Sequence, residues 1–321
     1  MNDVPTDSNF EACVARHDRE ARQRGLEIWL GAEPTFTDRF SEDPEWLSAP
    51  LGADKEQRAR RLVQLLREVT PGALVLRTVG RQYAGEPLPR WSYGIYARRD
   101  GAAIWSGPPD TLAAPAAAPA LDPRLLLRLQ EALLAGFAAQ GWSARAVQGD
   151  AGSRGVAFRR DGVALPAAIA EEARCRRGSF HRQATPAGGL RDELAESGLY
   201  LLSLRSGDAL GGSSSPLCVE LPAFAAVAPF LELLALLGAA ARNADASSLS
   251  LCGFPPPVDP SVMHTTVTPD PAVVEVNQAP APDLSTFLRW NRQLFALAEQ
   301  VGLWPYRLHY NGVVSDSGGA G

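Results

Sequence analysis

Lysine is almost missing from this 321-residue chain: Lys55 stands alone in a total of 31 basic residues. A phosphate or carboxylate gripped by a positive side chain would therefore be gripped by arginine, a planar and permanently charged group. Histidine is scarce too, and His17, His181, His264 and His309 stand at no metal-binding spacing. Cys13, Cys175, Cys218 and Cys252 form no CxxC pair, so their spacing suggests neither a zinc cage nor a disulfide framework. The chain also lacks a phosphate-binding P-loop, a GxGxxG fingerprint and a GxSxG nucleophile elbow.

Two further absences narrow the class. The opening stretch MNDVPTDSNFEACVARHDREAR has no apolar core of the kind a signal peptide needs. The most apolar stretch, Phe224 to Ala241, is interrupted by Pro229 and Glu232 and reads as a buried helix, not a membrane span. A net charge of −5 leaves no basic footprint for nucleic acid. These features predict a soluble, cytoplasmic protein with neither a nucleic-acid nor a membrane partner. The hydrophobic content of 45% is enough for one large or two modest cores.

What is present is a mixed order of elements. Helical spacing covers 10–24, 55–69, 125–138, 223–241 and 284–301, and strands are expected at 26–32, 74–79, 143–147, 156–158, 199–204, 217–221, 249–252 and 306–310. Asp100-Gly101 predicts a hairpin joining 92–97 to 102–105. Residues 264–276 read as two strands turning at Pro269-Asp270-Pro271, and 159–197 shows little regular pattern. Hairpins and isolated helices without regular βα alternation define an α+β class, with a mainly antiparallel sheet and packed helices. The division expected is an N-terminal α/β segment at 1–106, an Ala/Pro-rich linker at 107–123, an α+β segment at 124–314 and a flexible glycine-rich tail at 315–321.

Three stretches could carry chemistry. In GAEPTFTDRF (31–40), Glu33, Thr35 and Thr37 alternate and so share one face of an extended chain. That face is either a solvated strand surface or the start of a polar site. In VVEVN (273–277), Glu275 and Asn277 likewise share a face. Together with Glu33 they would form an oxygen-rich pocket suited to Mg²⁺, although on spacing alone a wet edge strand is the commoner reading. Arg81 and Arg90 flank a Gly/Pro loop after a strand, which suits an anion site or, more plainly, two solvated arginines. Cys218, His264 and Asp270 supply the residue types of a thiol acyltransfer triad, with no local motif behind them.

Taken together, LEIWLGAEPTFTDRFSEDPEW, GRQYAGEPLPRWSYGIYARRDGAAIW and GFPPPVDPSVMHTTVTPDPAVVEVNQAP resemble, in content and order, a bacterial family of amidoligases. That family is often fused to, or encoded with, transglutaminase-like domains. The resemblance runs from Gly25 to Asn311 and is weak over 112–197. It implies a ligase fold of the glutamine synthetase and glutamate–cysteine ligase type, with the 26–30 strand in the core of a sheet that cradles ATP and Mg²⁺. It further implies that a small-molecule or peptide carboxylate is joined to an amine through an acyl phosphate. On this resemblance Glu33, Glu275 and Asn277 would hold the metal, and Thr35, Gln82 and Tyr83 the nucleotide. Arg81 and Arg90 would be the catalytic cations on the transferring group.

Two departures stand out. The family continues EVN with His-Pro-Ala, where this chain has Gln278-Ala279-Pro280. The family also runs on past a glycine-rich segment, so this chain reads as a C-terminally truncated copy. Its expected partners are a separately encoded C-terminal half and a transglutaminase-like protein. Two other readings stay open: a non-catalytic module binding nucleotide or a partner, and a transglutaminase-associated thiol acyltransferase.

Overall fold

In the computed structural model the residues described are 8–86, 89–109, 124–149, 152–177, 191–206, 217–308 and 312–316. In chain order the first elements are α1 (Ser8–Gln23), β1 (Thr35–Phe36), α2 (Pro44–Leu47), α3 (Ala53–Glu68), β2 (Leu74–Val79) and β3 (Trp91–Arg98). Then come α4 (Leu125–Ala139), β4 (Ser143–Gln148), β5 (Arg154–Arg159), α5 (Ala167–Arg177), α6 (Glu193–Glu196), β6 (Tyr200–Ser206) and β7 (Leu217–Leu221). The last are α7 (Val227–Asn243), β8 (Ser250–Gly253), β9 (Val262–Asp270), β10 (Val273–Asn277), α8 (Leu284–Gln300), β11 (Tyr306–Leu308) and β12 (Val314–Asp316). The chain divides into two units, 1–58 with 270–321 and 59–269.

In the larger unit, alternation along each strand sorts side chains between the two faces of a sheet ordered β9-β3-β2-β8-β7-β6-β5-β4. The β2–β8 and β7–β8 pairs are parallel and the others antiparallel. Leu76, Tyr96, Leu202 and Val219 face α4 and α7, whose Leu129, Leu133, Phe230 and Leu237 complete the main core. Phe137, Trp142, Phe158, Tyr200 and Phe224 form a run of stacked rings within it, with centroids 4.6–5.7 Å apart along the run. On the opposite face a smaller cluster joins Val147, Ala157 and Leu201 to Ala170 and Ala173 of α5 and Leu194 of α6. Pro229 fits α7 because it lies in the first turn, where a missing N–H costs nothing.

Gly253 closes β8 with φ of 128°, and a Cβ there would overlap the backbone nitrogen and carbonyl oxygen of Leu221 on β7. The parallel pair can therefore end side by side only because this residue has no side chain. Gly94 of β3 has a similar reason to be bare, since a Cβ would run into the imidazole of His264. Burial holds that imidazole's pKa down to about 4.

Polar anchors help hold the smaller unit together. Asp18 on α1 accepts hydrogen bonds from the backbone N–H groups of Leu284 and Ser285 at 3.1 and 3.0 Å, and from the Ser285 hydroxyl, so it caps α8 from outside. Burial pushes the Asp18 carboxyl up, but the hydrogen bonds from Ser285, His17 and Leu284 outweigh it and hold the pKa near 2. Asp283 caps the same helix from within, accepting from the Thr286 N–H at 2.7 Å. We expect Asp18→Ala to cost about 2 kcal/mol. Because the folded pKa is depressed, this contribution is complete above the ordinary aspartate range and is lost as pH falls toward 2. Urea titrations of wild type and variant at pH 7 and pH 3 check both points; equal stability at pH 7 would refute the anchor.

Lys55 is fully buried within the smaller unit. Its ammonium donates to the carbonyls of Ala49 at 2.9 Å, Pro50 at 3.2 Å and Asp270 at 2.8 Å. The buried Trp46 ring has the Lys55 Nζ 5.4 Å from its centroid and the Arg58 guanidinium 5.3 Å from it. Arg58 bonds Asp38 at 2.7 Å, Asp54 at 2.9 Å and the Gly302 carbonyl at 2.8 Å. Arg39 stacks on Trp304, 4.0 Å from the ring centroid. Much of the EPTFTDRFSEDPEW block is thus occupied in building this unit.

Several expected elements differ. Residues 26–32 are not a core strand: Leu26 and Trp29 are about half exposed, and only the end of the segment meets a ladder, through the Leu30–Ala281 bridge and the Ala32 carbonyl. Pro34 cannot donate to a ladder, which leaves only Thr35–Phe36 as regular strand. The Asp100-Gly101 turn forms, with the Gly101 N–H bonded to the Arg98 carbonyl, but no hairpin follows. Both edges of β3 are already taken by β2 and β9, and Ile104 bonds instead to Gly72. Helices α5 and α6 occupy part of the stretch without visible pattern. Residues 315–316, expected in a flexible tail, belong to β12, which pairs antiparallel with β11. Most of the expected linker (110–123), residues 207–216, His181, His309 and the expected tail at 317–321 lie outside the described residues.

Candidate active site

The β1–β10 pair sets Thr35 directly opposite Glu275 and Phe36 opposite Val274. The ladder continues past Thr35, with the Val276 N–H bonded to the Pro34 carbonyl at 3.0 Å and the Gln278 N–H to Ala32 at 2.9 Å. In that register Glu33 lies opposite Asn277, and strand alternation places Glu33, Thr35, Glu275 and Asn277 on one face. Phe36, Val274 and Val276 turn the other way and are fully buried. Glu33 is exposed, whereas Thr35, Glu275 and Asn277 are half-buried. Thr35 and Glu275, 240 positions apart in sequence, are thereby cross-strand neighbours, because the β9–β10 turn and the 30–36 segment return the chain to one place.

Asn277 donates from Nδ2 to Glu275 Oε1 at 2.8 Å, so the amide fixes the rotamer of the carboxylate. Thr37 serves the backbone instead. It is buried, and its hydroxyl donates to the Ala272 carbonyl at 2.9 Å, bracing the turn into β10 where Ala272 has φ of 64°. The shared face therefore offers two carboxylates, an amide and a hydroxyl. Among the described residues no group of three His, Cys, Asp or Glu side chains gathers as a metal cage.

The loop of the larger unit between β2 and β3 is built around Glu86, which residue spacing did not single out. Arg90 donates to it from Nη2 at 2.8 Å and from Nε at 3.0 Å. The Tyr83 N–H donates to its other oxygen at 3.1 Å, and Gln82 donates to its backbone carbonyl at 2.9 Å. Arg90 also reaches the Pro269 carbonyl at 3.2 Å and lies 4.2 Å from the Tyr83 ring centroid. Burial raises the Glu86 pKa, but the Arg90 guanidinium and the Tyr83 N–H bring it below the usual carboxylate range. Gln82, Tyr83 and Arg90 thus hold the loop's shape, while Arg81 is exposed. We expect Glu86→Ala to cost about 2 kcal/mol by removing the carboxylate that faces the buried Arg90, and to make the 81–90 loop a proteolysis site. Limited proteolysis with peptide mapping checks this, and an unchanged cleavage pattern would refute it.

The thiol triad is not assembled. Cys218 on β7 and His264 on β9 are separated in the sheet by β8, β2 and β3. The Cys218 sulfur instead faces Cys252 at 2.8 Å, and His264 is packed against Gly94 and Tyr96. Strand order was the missing information, since it cannot be read from three residue types. No helix among the described residues is long and apolar enough to cross a membrane.

Residues 7–151 and 203–321 match the family described as "Putative amidoligase enzyme (DUF2126)". The match covers well over half of the chain, and the protein belongs to that family. It takes in all of the residues assigned above to the acidic face and to the 81–90 loop. Comparisons with curated proteins and with solved structures gave no match.

Proposed function

We propose that this protein is an ATP- and Mg²⁺-dependent amide-forming ligase, and that the face shared by β1 and β10 is its metal-holding surface. Family membership supports a ligase-type activity on small-molecule substrates. The observation that carries the site is the register placing Thr35 opposite Glu275, with Glu33 and Asn277 extending the same face. The donor set suits Mg²⁺, which keeps several waters and takes only one or two carboxylates from a protein. Glu33 and Glu275 would hold the ion, Asn277 would keep the Glu275 carboxylate in place, and Thr35 would face the nucleotide. When bound, the ion would offset the charge of the phosphates.

The remaining chemistry falls to the chain's own residues. Within the larger unit, Arg81 is the exposed guanidinium we assign to an anionic group, since fork geometry suits phosphate and carboxylate oxygens. Arg90, already committed to Glu86, is a positioning residue that sets the course of the loop. A carboxylate activated as an acyl phosphate and then attacked by an amine accounts for an amide product with phosphate released. This sequence, and a sheet of the glutamine synthetase kind, belong to the same proposal.

The test is calorimetry with Mg-ATP on wild type and Glu275→Gln, followed by phosphate release with and without an added amine. The variant should lose Mg²⁺-dependent nucleotide binding while keeping its stability, since a half-buried strand position tolerates an isostere within about 0.5 kcal/mol. Equal binding by both proteins would refute the metal role. Nucleotide binding without amine-dependent turnover would reduce the protein to a binding module.

A further inference from the structure

We infer that Cys218 and Cys252 are a reversible disulfide site within the sheet of the larger unit. The parallel pairing of β7 and β8 sets Cys218 opposite Ser250 and Glu220 opposite Cys252, so the cysteines are diagonal neighbours on one face. Both are buried, and their sulfurs stand 2.8 Å apart. A disulfide bond is about 2.05 Å long, so the two atoms have less than about 1 Å to travel.

The surroundings set how readily the pair reacts. Glu220 is buried beside the pair and is held by Arg205 at 2.8 Å. The hydrogen bond with Cys218, burial and the neighbouring Glu220 charge together push the Cys252 thiol well above its usual range. The Cys252 thiol is therefore protonated at rest and a weak nucleophile, so its oxidation is slow. Because both sulfurs are buried, a small hydroperoxide is the class of oxidant that can reach them, and it reacts with the minor thiolate fraction. Two thiols and one hydroperoxide give the S–S bond, an alcohol and water. The sulfurs lose two electrons, the O–O bond breaks to take them up, and both thiol protons leave with the oxygen products. Bulk thiol reductant reverses the change. The cross-link closes the segment 218–252, which contains α7, and joins β7 to β8 covalently.

The test uses the full chain carrying Cys13→Ser and Cys175→Ser, so that only this pair remains. After hydrogen peroxide treatment, thiols titrated in denaturant should fall from two to none. Digestion should yield a peptide linking 218 to 252 at 2 Da below the reduced mass, and dithiothreitol should restore both thiols. Closing a loop of this length should raise the thermal midpoint by about 4 °C or more. Adding Cys218→Ser should abolish the linked peptide and the peroxide-dependent shift. The mass measurement on the intact pair does not depend on that variant folding. Two thiols still titrating after peroxide would overturn the inference, as would oxygen added to either sulfur without a cross-link.

Discussion

Lys55→Met should destabilise the smaller unit by about 3 kcal/mol or more, because three backbone carbonyls lose a common charged donor. Methionine preserves most of the side-chain volume and removes only the ammonium. The carbonyls of Ala49, Pro50 and Asp270 then lose their shared donor, and an acceptor left unsatisfied away from water costs about 1–3 kcal/mol. The loss of the cation near Trp46 adds a smaller penalty. Lys55→Arg should not rescue the fold, because a rigid planar guanidinium cannot replace a compact three-way donor in a fully buried position. Urea unfolding followed by tryptophan fluorescence measures the effect. A loss below about 1 kcal/mol would mean that the three carbonyls find other donors.

Gly253→Ala should be comparably severe in the larger unit. The residue sits at φ of 128°, a region that side-chain-bearing residues rarely enter, and its Cα faces the Leu221 backbone. Neither obstacle is the end of a flexible side chain that could swing away. The β7–β8 ends must separate, which also strains the Phe254 N–H bond to the Leu221 carbonyl. The expected cost is about 3 kcal/mol or more. Thermal unfolding by circular dichroism reads it, and a midpoint within about 2 °C of wild type would refute the argument.

The sequence carried the local part of this structure well. Strands 74–79 and 217–221 stand where their apolar runs predict, and the helices at 125–138 and 284–301 differ from the observed ones by about one residue. Alternation in VVEVN and EPTFT was enough to sort Glu275, Asn277, Glu33 and Thr35 onto faces. It could not say that those two faces would be one, because cross-strand register over 240 positions is set by tertiary packing. Segment 26–32 misled because an apolar run looks alike whether buried or lying exposed along a unit's surface. The 102–105 strand failed for a non-local reason, since a good turn signal cannot reveal that a strand's edges are already occupied. Lys55 carried no pattern at all, and its only signal was its solitude.

That solitude has a chemical consequence if the protein makes amides as proposed. An activated carboxylate is indifferent to which amine attacks it, and lysine ε-amines on an enzyme's own surface compete with the intended substrate. Here the chain's single ε-amine is enclosed by three carbonyls and beyond the reach of solvent. Arginine, which supplies every other cationic side chain of the lysine/arginine class, is protonated and a poor nucleophile at neutral pH. Such a surface could release reactive acyl groups repeatedly without acquiring side-chain amides of its own.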